Sequence, residues 1–220
     1  MEMDRNFLKG FGKTLAVLLL TAGFATANAA SVTISNAMDG NGAASLFDVS
    51  GITQSGVNGE IIELGISNFI ADGSFGPSSA VDTLFLTLTA PTGMRITSIG
   101  YSESGEGETE TGVAMASGSL IADGMPTNFL TQIFNPNTSR DQWTITKLPL
   151  VINNKQTIDV SITNSLFAYA FVGGEIAEIE KTSATLTVGL SAIPIPPAIW
   201  MMGAAITALV TVGRRGGQAS

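Results

Sequence analysis

The chain has 220 residues, no Cys, no His and only 13% charged residues. Those absences exclude a Ser-His-Asp triad, a Cys nucleophile, His-based acid–base chemistry, Cys/His zinc sites and disulfide frameworks. The formal net charge is −8, yet residues 30–193 hold 16 acidic and five basic side chains, a local −11 that repels phosphate backbones and excludes nucleic-acid partners.

At the N-terminus, Arg5, Lys9 and Lys13 precede a mostly apolar run at 15–24, and small residues follow from Ala25 to Ala30. Basic region, short hydrophobic region and small-residue site together make a secretory signal peptide, residues 1–29. Ala27, Asn28 and Ala29 form the A-x-A site, so signal peptidase is expected to cut between Ala29 and Ala30. A helix of about ten residues rises only about 15 Å, half the hydrocarbon thickness of a bilayer, so cleavage is expected rather than anchoring. Export also suits a chain without thiols, because an oxidising space punishes unpaired ones.

Residues 30–190 read as one domain. In 82–89, Leu84, Leu86 and Leu88 oppose Thr83, Thr87 and Thr89, with Phe85 breaking the polar face. In 156–163, Ile158, Val160 and Ile162 oppose Thr157, Asp159, Ser161 and Thr163; 183–190 repeats the pattern with Ala184, Leu186, Val188 and Leu190. Such period-two alternation marks half-buried strands. Weaker strand signals fall at 31–35, 60–67, 95–101, 113–121, 143–148 and 166–172. Turn formers separate them at Pro91 to Gly93, Asp123-Gly124, Asn153-Asn154 and Gly173-Gly174. Many short strands without a long amphipathic helix predict an all-β fold, an antiparallel β-sandwich of jelly-roll-like or immunoglobulin-like type. Ser and Thr supply the outward faces that charged residues supply elsewhere.

The densest acidic stretch is Glu103, Glu106, Glu108 and Glu110. As a metal site it would hold Ca²⁺, whose ligand oxygens stand about 2.3–2.6 Å from the ion. Same-face residues of an extended chain stand about 6.7 Å apart, so only bending at Gly105 and Gly107 could gather these carboxylates. The preferred reading is a solvated acidic hairpin loop that discourages edge-to-edge association, and the expected cofactor content is none, with calcium the one alternative. Asp39-Gly-Asn-Gly42 opens like a calcium loop but lacks its later ligands and reads as a turn. A glycosidase needs only two carboxylates across a cleft, but 16 acids single out no pair. Trp143 reads as a core aromatic rather than a sugar-stacking platform.

Residues 191–197 are rich in proline and read as a stiff linker. Residues 198–212 carry no charge and form a short membrane helix, opened by Pro197, flanked by Trp200 and closed by Arg214 and Arg215 in a cytoplasmic tail, 213–220. The order Ile193-Pro194-Ile195-Pro196-Pro197-Ala198-Ile199-Trp200, a Gly/Ala-rich apolar helix and Arg214-Arg215 resembles the PEP-CTERM sorting signals of Gram-negative bacteria, in their VPLPA-CTERM variant. The chain differs from the parent motif in carrying Ile195 where that family has Glu, and in its five residues after the Arg pair. The resemblance implies that an exosortase-like membrane enzyme recognises Pro194, Pro196 and Pro197 and removes the tail. It also implies an exopolysaccharide-producing host. The expected product is therefore an exported, non-enzymatic cell-surface or extracellular-matrix protein, structural or adhesive and associated with exopolysaccharide. A membrane-anchored carbohydrate-binding module is the alternative, and a glycoside-active enzyme a distant third.

Overall fold

A computed structural model describes residues 31–40, 46–129, 131–194 and 201–202. The signal peptide with Ala27, Ala29 and Ala30 lies outside the described residues, as do Pro196, Pro197, Trp200, Arg214 and Arg215. Of the expected membrane helix only Met201 and Met202 are described; both are helical and exposed. Among the described residues no helix is long and apolar enough to cross a membrane.

Twelve strands follow in order: β1 (Thr33–Asp39), β2 (Phe47–Ser55), β3 (Ile61–Ile66), β4 (Phe69–Asp72), β5 (Ser78–Thr89), β6 (Met94–Thr109), β7 (Gly112–Ala122), β8 (Met125–Asn128), β9 (Gln132–Phe134), β10 (Thr138–Lys155), β11 (Thr157–Ala170) and β12 (Ala177–Ala192). The first sheet has the order β1-β5-β11-β7-β8, with β9 also on β7. The second has the order β10-β6-β12-β3-β2, with β4 also on β12. Every pairing is antiparallel. The sheets enclose one apolar core between them, the sandwich architecture expected from the alternation.

The strong alternations fall where expected. Leu84, Leu86 and Leu88 of β5, and Ile158, Val160 and Ile162 of β11, face inward at 2% exposure or less. The hairpin turn at Asp123-Gly124 has positive φ at both residues, 52° and 76°, as a two-residue turn joining twisted strands requires. Two expectations are corrected. The segments 156–163 and 166–172 are one continuous strand, β11, whose twelve-residue register against β5 runs unbroken through Asn164 and Ser165. The stretch 103–110 is no hairpin loop: through Thr109 it is the far half of β6, paired with β10 on one side and β12 on the other. Gly105 and Gly107 do not bend it. They make room on its inner face, where an added Cβ would meet the Trp143 ring at 2.7 Å and the Phe134 ring at 2.7 Å.

One carboxylate ties the sheets together at their edge. Asp82, buried on β5, accepts the backbone N–H groups of Leu46 at 2.8 Å and Phe47 at 3.2 Å, where β2 begins in the other sheet. Burial, and then the neighbouring Asp39 carboxyl, push its pKa up from the usual value.

Inward position, not residue type, decides what a truncation costs. Ile162→Ala, at a wholly buried position, is expected to lower unfolding free energy by about 2–5 kcal/mol. Leu148→Ala, at 82% exposure, should leave it almost unchanged; chemical denaturation of the two variants checks the contrast.

Candidate functional site

On the outer face of the first sheet, register places one residue from each of several strands in a row. Met38 of β1 pairs with Phe85 of β5, Phe85 with Ser161 of β11, and Ser161 with Ile121 of β7. Met38, Phe85 and Ile121 are exposed by 59%, 41% and 39%, an apolar strip flanked by Ser and Thr positions of β5 and β11. A polar row lies beside it. Thr87 donates to Asp159 Oδ1 at 2.8 Å and receives Asn36 Nδ2 at 3.4 Å. Together these residues line an open groove of about 340 Å³, at the small end of the range of ligand pockets. An apolar strip beside a carboxylate, an amide and a hydroxyl suits a flat ligand with one apolar face and many hydroxyls.

Between the sheets lies a second polar constellation, in the core. Lys181 of β12, 1% exposed, donates to Glu103 Oε2 at 2.6 Å, to Asn164 Oδ1 at 2.5 Å and to Tyr101 Oη at 2.8 Å. Glu103 Oε2 also accepts the Tyr101 hydroxyl at 2.8 Å and Asn164 Nδ2 at 2.6 Å. The amide of Asn164 has only one orientation that satisfies both neighbours, oxygen toward the ammonium and nitrogen toward the carboxylate. Aromatic rings enclose the amine: Phe47, Phe69 and Tyr101 stand 5.2, 5.3 and 5.6 Å from Nζ. Phe129 stacks on Tyr101 at 4.6 Å. Desolvation lowers the Lys181 pKa to about 8, against the opposing pull of Glu103. Burial and the Glu103 charge raise that of Tyr101 well above its usual value.

The four glutamates of the acidic stretch are thereby separated. Glu103 points into the core, while Glu106 and Glu108 stand on the outer face of the same strand. Glu106 accepts Arg140 Nε at 2.6 Å, and the same guanidinium reaches Glu178 and Glu180 at 3.3 Å each. Glu110 Oε2 instead accepts the Ile176 N–H at 3.0 Å. Among the described residues no three acidic side chains converge as a metal site would need. Trp143 is buried and donates its indole N–H to the Glu106 carbonyl at 3.2 Å, as a core aromatic should.

Asn164, Lys181, Met38, Ile121 and Asp159 were not among the candidate site residues read from the sequence. A signal existed for two of them: Asn164 occupies the inward position after Ile158, Val160 and Ile162, and Lys181 the inward position after Ala177 and Ile179.

No family model matches this chain, and no curated protein matches it. Solved structures with similarity include TmCBM61 in complex with β-1,4-galactotriose, at 12% identity and a TM-score of 0.29, covering 77% of this chain and 94% of that one. Another, described as "CBM4 structure and function", has 15% identity and a TM-score of 0.21, covering 76% and 90%.

Arg140 screens three carboxylates that otherwise face one another across adjacent strands. Arg140→Gln should lower the thermal midpoint at low ionic strength. The deficit should shrink as salt approaches about 1 M, where charges are screened within about 3 Å, and a melting series in NaCl checks it.

Proposed function

We propose that the chain is an exported, non-enzymatic structural module, delivered by its signal peptide, held briefly by its tail and displayed at the cell surface or in the extracellular matrix. The observation that carries this reading is the junction between domain and tail. Strand β12 remains paired with β6 through Ala192, and Ile193 N–H donates to the Gly93 carbonyl at 2.8 Å. Strand pairing thus reaches Ala192, two residues beyond the boundary expected at 190 and two before Pro194. Pro194 is exposed and follows the last strand residue by two positions, so tail removal at the motif is expected to spare the pairing of β12. The inward faces support the same reading: they are occupied by packing and by a polar cluster whose hydrogen bonds are made internally.

The groove on the first sheet favours a second element of function, contact with polysaccharide. A sugar ring has an apolar face for Met38, Phe85 and Ile121, and hydroxyls for Asn36, Thr87 and Asp159. The row is open along the sheet, so a chain of residues could pass across it.

Two measurements test these readings. Protein recovered from producing cells should end near the proline motif by intact mass; retention of Ser220 would contradict tail-directed sorting. On an array of bacterial and plant polysaccharides, the full chain should retain one or more polymers, and Phe85→Ala should weaken that binding by about tenfold, the equivalent of about 1.4 kcal/mol. Uniform silence of the unsubstituted protein would remove the polysaccharide reading while leaving the display reading standing.

A further inference from the structure

Lys181, Asn164 and Glu103 meet in an arrangement that packing alone does not require. An amine, a carboxamide and a carboxyl touch one another in a closed triangle, with contacts of 2.5, 2.6 and 2.6 Å. The amide oxygen that Lys181 touches is one bond, about 1.23 Å, from the carbon that a nucleophile would attack. The three residues come from three strands: Asn164 lies on β11 of the first sheet, and Lys181 and Glu103 on adjacent β12 and β6 of the second. All three are exposed by 2% or less, and aromatic rings seal the amine from water.

We propose that this triangle closes on itself to form an amide cross-link between the Lys181 and Asn164 side chains, covalently joining the two sheets. Lys181 first passes one ammonium proton to Glu103 along their 2.6 Å contact, which leaves a neutral amine beside a neutral carboxyl. Desolvation makes Lys181 give up that proton more readily than an exposed lysine does. The Nζ lone pair then forms a bond to Cγ of Asn164. As negative charge develops on Oδ1, the Tyr101 hydroxyl, 3.0 Å away, turns its proton from Glu103 to that oxygen. Glu103 gives its proton to Nδ2, the Cγ–Nδ2 bond breaks, and ammonia leaves. The surplus proton on Nζ returns to Glu103, which ends protonated. One amide replaces another, so the step needs no oxidant, cofactor or external energy source. Holding the groups in contact supplies what the uncatalysed reaction lacks, since fixed geometry raises effective concentration by orders of magnitude. Neither export nor ligand binding is needed, because every reacting group lies inside the folded core.

A competing view is that these residues form only a buried ion pair. The two differ in mass. Full-chain protein is denatured, digested with trypsin and a Glu-specific protease, and its fragments weighed. Cuts after Lys155, Glu175 and Glu180 place Asn164 and Lys181 on separate pieces, so only a covalent bond keeps them together. The expected result is the 156–175 piece joined to the piece beginning at Lys181, lighter than their sum by one ammonia, about 17 Da. Trypsin should also fail to cut after Lys181. Asn164→Asp should still link but release water, whereas Lys181→Arg and Glu103→Gln should yield separate pieces. Unsubstituted protein recovered as two separate pieces of full mass overturns the proposal, whether or not any variant folds. Efficient linkage in Glu103→Gln would overturn the role given to that carboxyl.

Discussion

The polar centre of this sandwich is arranged around one buried amine. Transferring an ammonium and a carboxylate from water into a protein interior costs several kcal/mol per ion, and their mutual attraction repays it only when the remaining hydrogen-bonding capacity is also met. Here it is met. Lys181 uses all three donors, Glu103 Oε2 accepts three hydrogen bonds, and Asn164 contributes both a donor and an acceptor. Because the partners come from both sheets, the network is satisfied in only one relative placement of those sheets. An apolar core alone would tolerate many more. A one-residue slip of β11 would send Asn164 outward and leave Lys181 and Glu103 each short of one hydrogen-bond partner.

The outer faces follow a different rule. The first sheet presents Ser and Thr ladders, such as Thr83 with Thr163 at 2.9 Å and Thr89 with Thr157 at 3.2 Å. These cross-strand hydroxyl pairs suit an exposed sheet and need no charge. The second sheet gathers glutamates instead, and a single arginine holds three of them. A chain with few charged residues has therefore divided them: among the described residues the Lys181–Glu103 pair and Asp82 lie inside, an acidic cluster lies on one face, and few stand on the face that carries the groove.

How much of this was legible follows from the physics of each feature. Strands β5, β11 and β12 announce themselves because their inward residues are large and apolar and their outward ones are Thr or Ser. The far half of β6 does not, since its outward residues are Glu and its inward ones Gly, types depleted in strands. Its strand character comes from neighbours: the Trp143 and Phe134 rings fill the space that two glycines leave. Phe85 was visible as the residue that broke a polar face, and it marks the groove. Met38 and Ile121 joined it only when strand register set them in one row. The core triangle was the least accessible. Each member is a polar residue at an inward position, which alternation can flag, but their meeting depends on β11 and β12 lying in opposite sheets. No local pattern encodes that.

Placement of the triangle also connects the core to the tail. Strand β12 carries Lys181 and, eleven residues later, ends at Ala192 before the proline motif. Any load on the tail enters the domain through this strand, which lies between β6 on one side and β3 and β4 on the other. Hydrogen bonds to those neighbours would bear the load first and could yield one after another from the tail end. A covalent bond at Lys181 would change that sequence. Unzipping would stop where β12 is fastened to β11, and tension would pass across the core into the first sheet. Residues before Lys181, including the Ile179 and Ala177 that pack the far end, would then be shielded. The triangle is thus set where a cross-link would protect most of the sandwich from a pull at its own C-terminal strand.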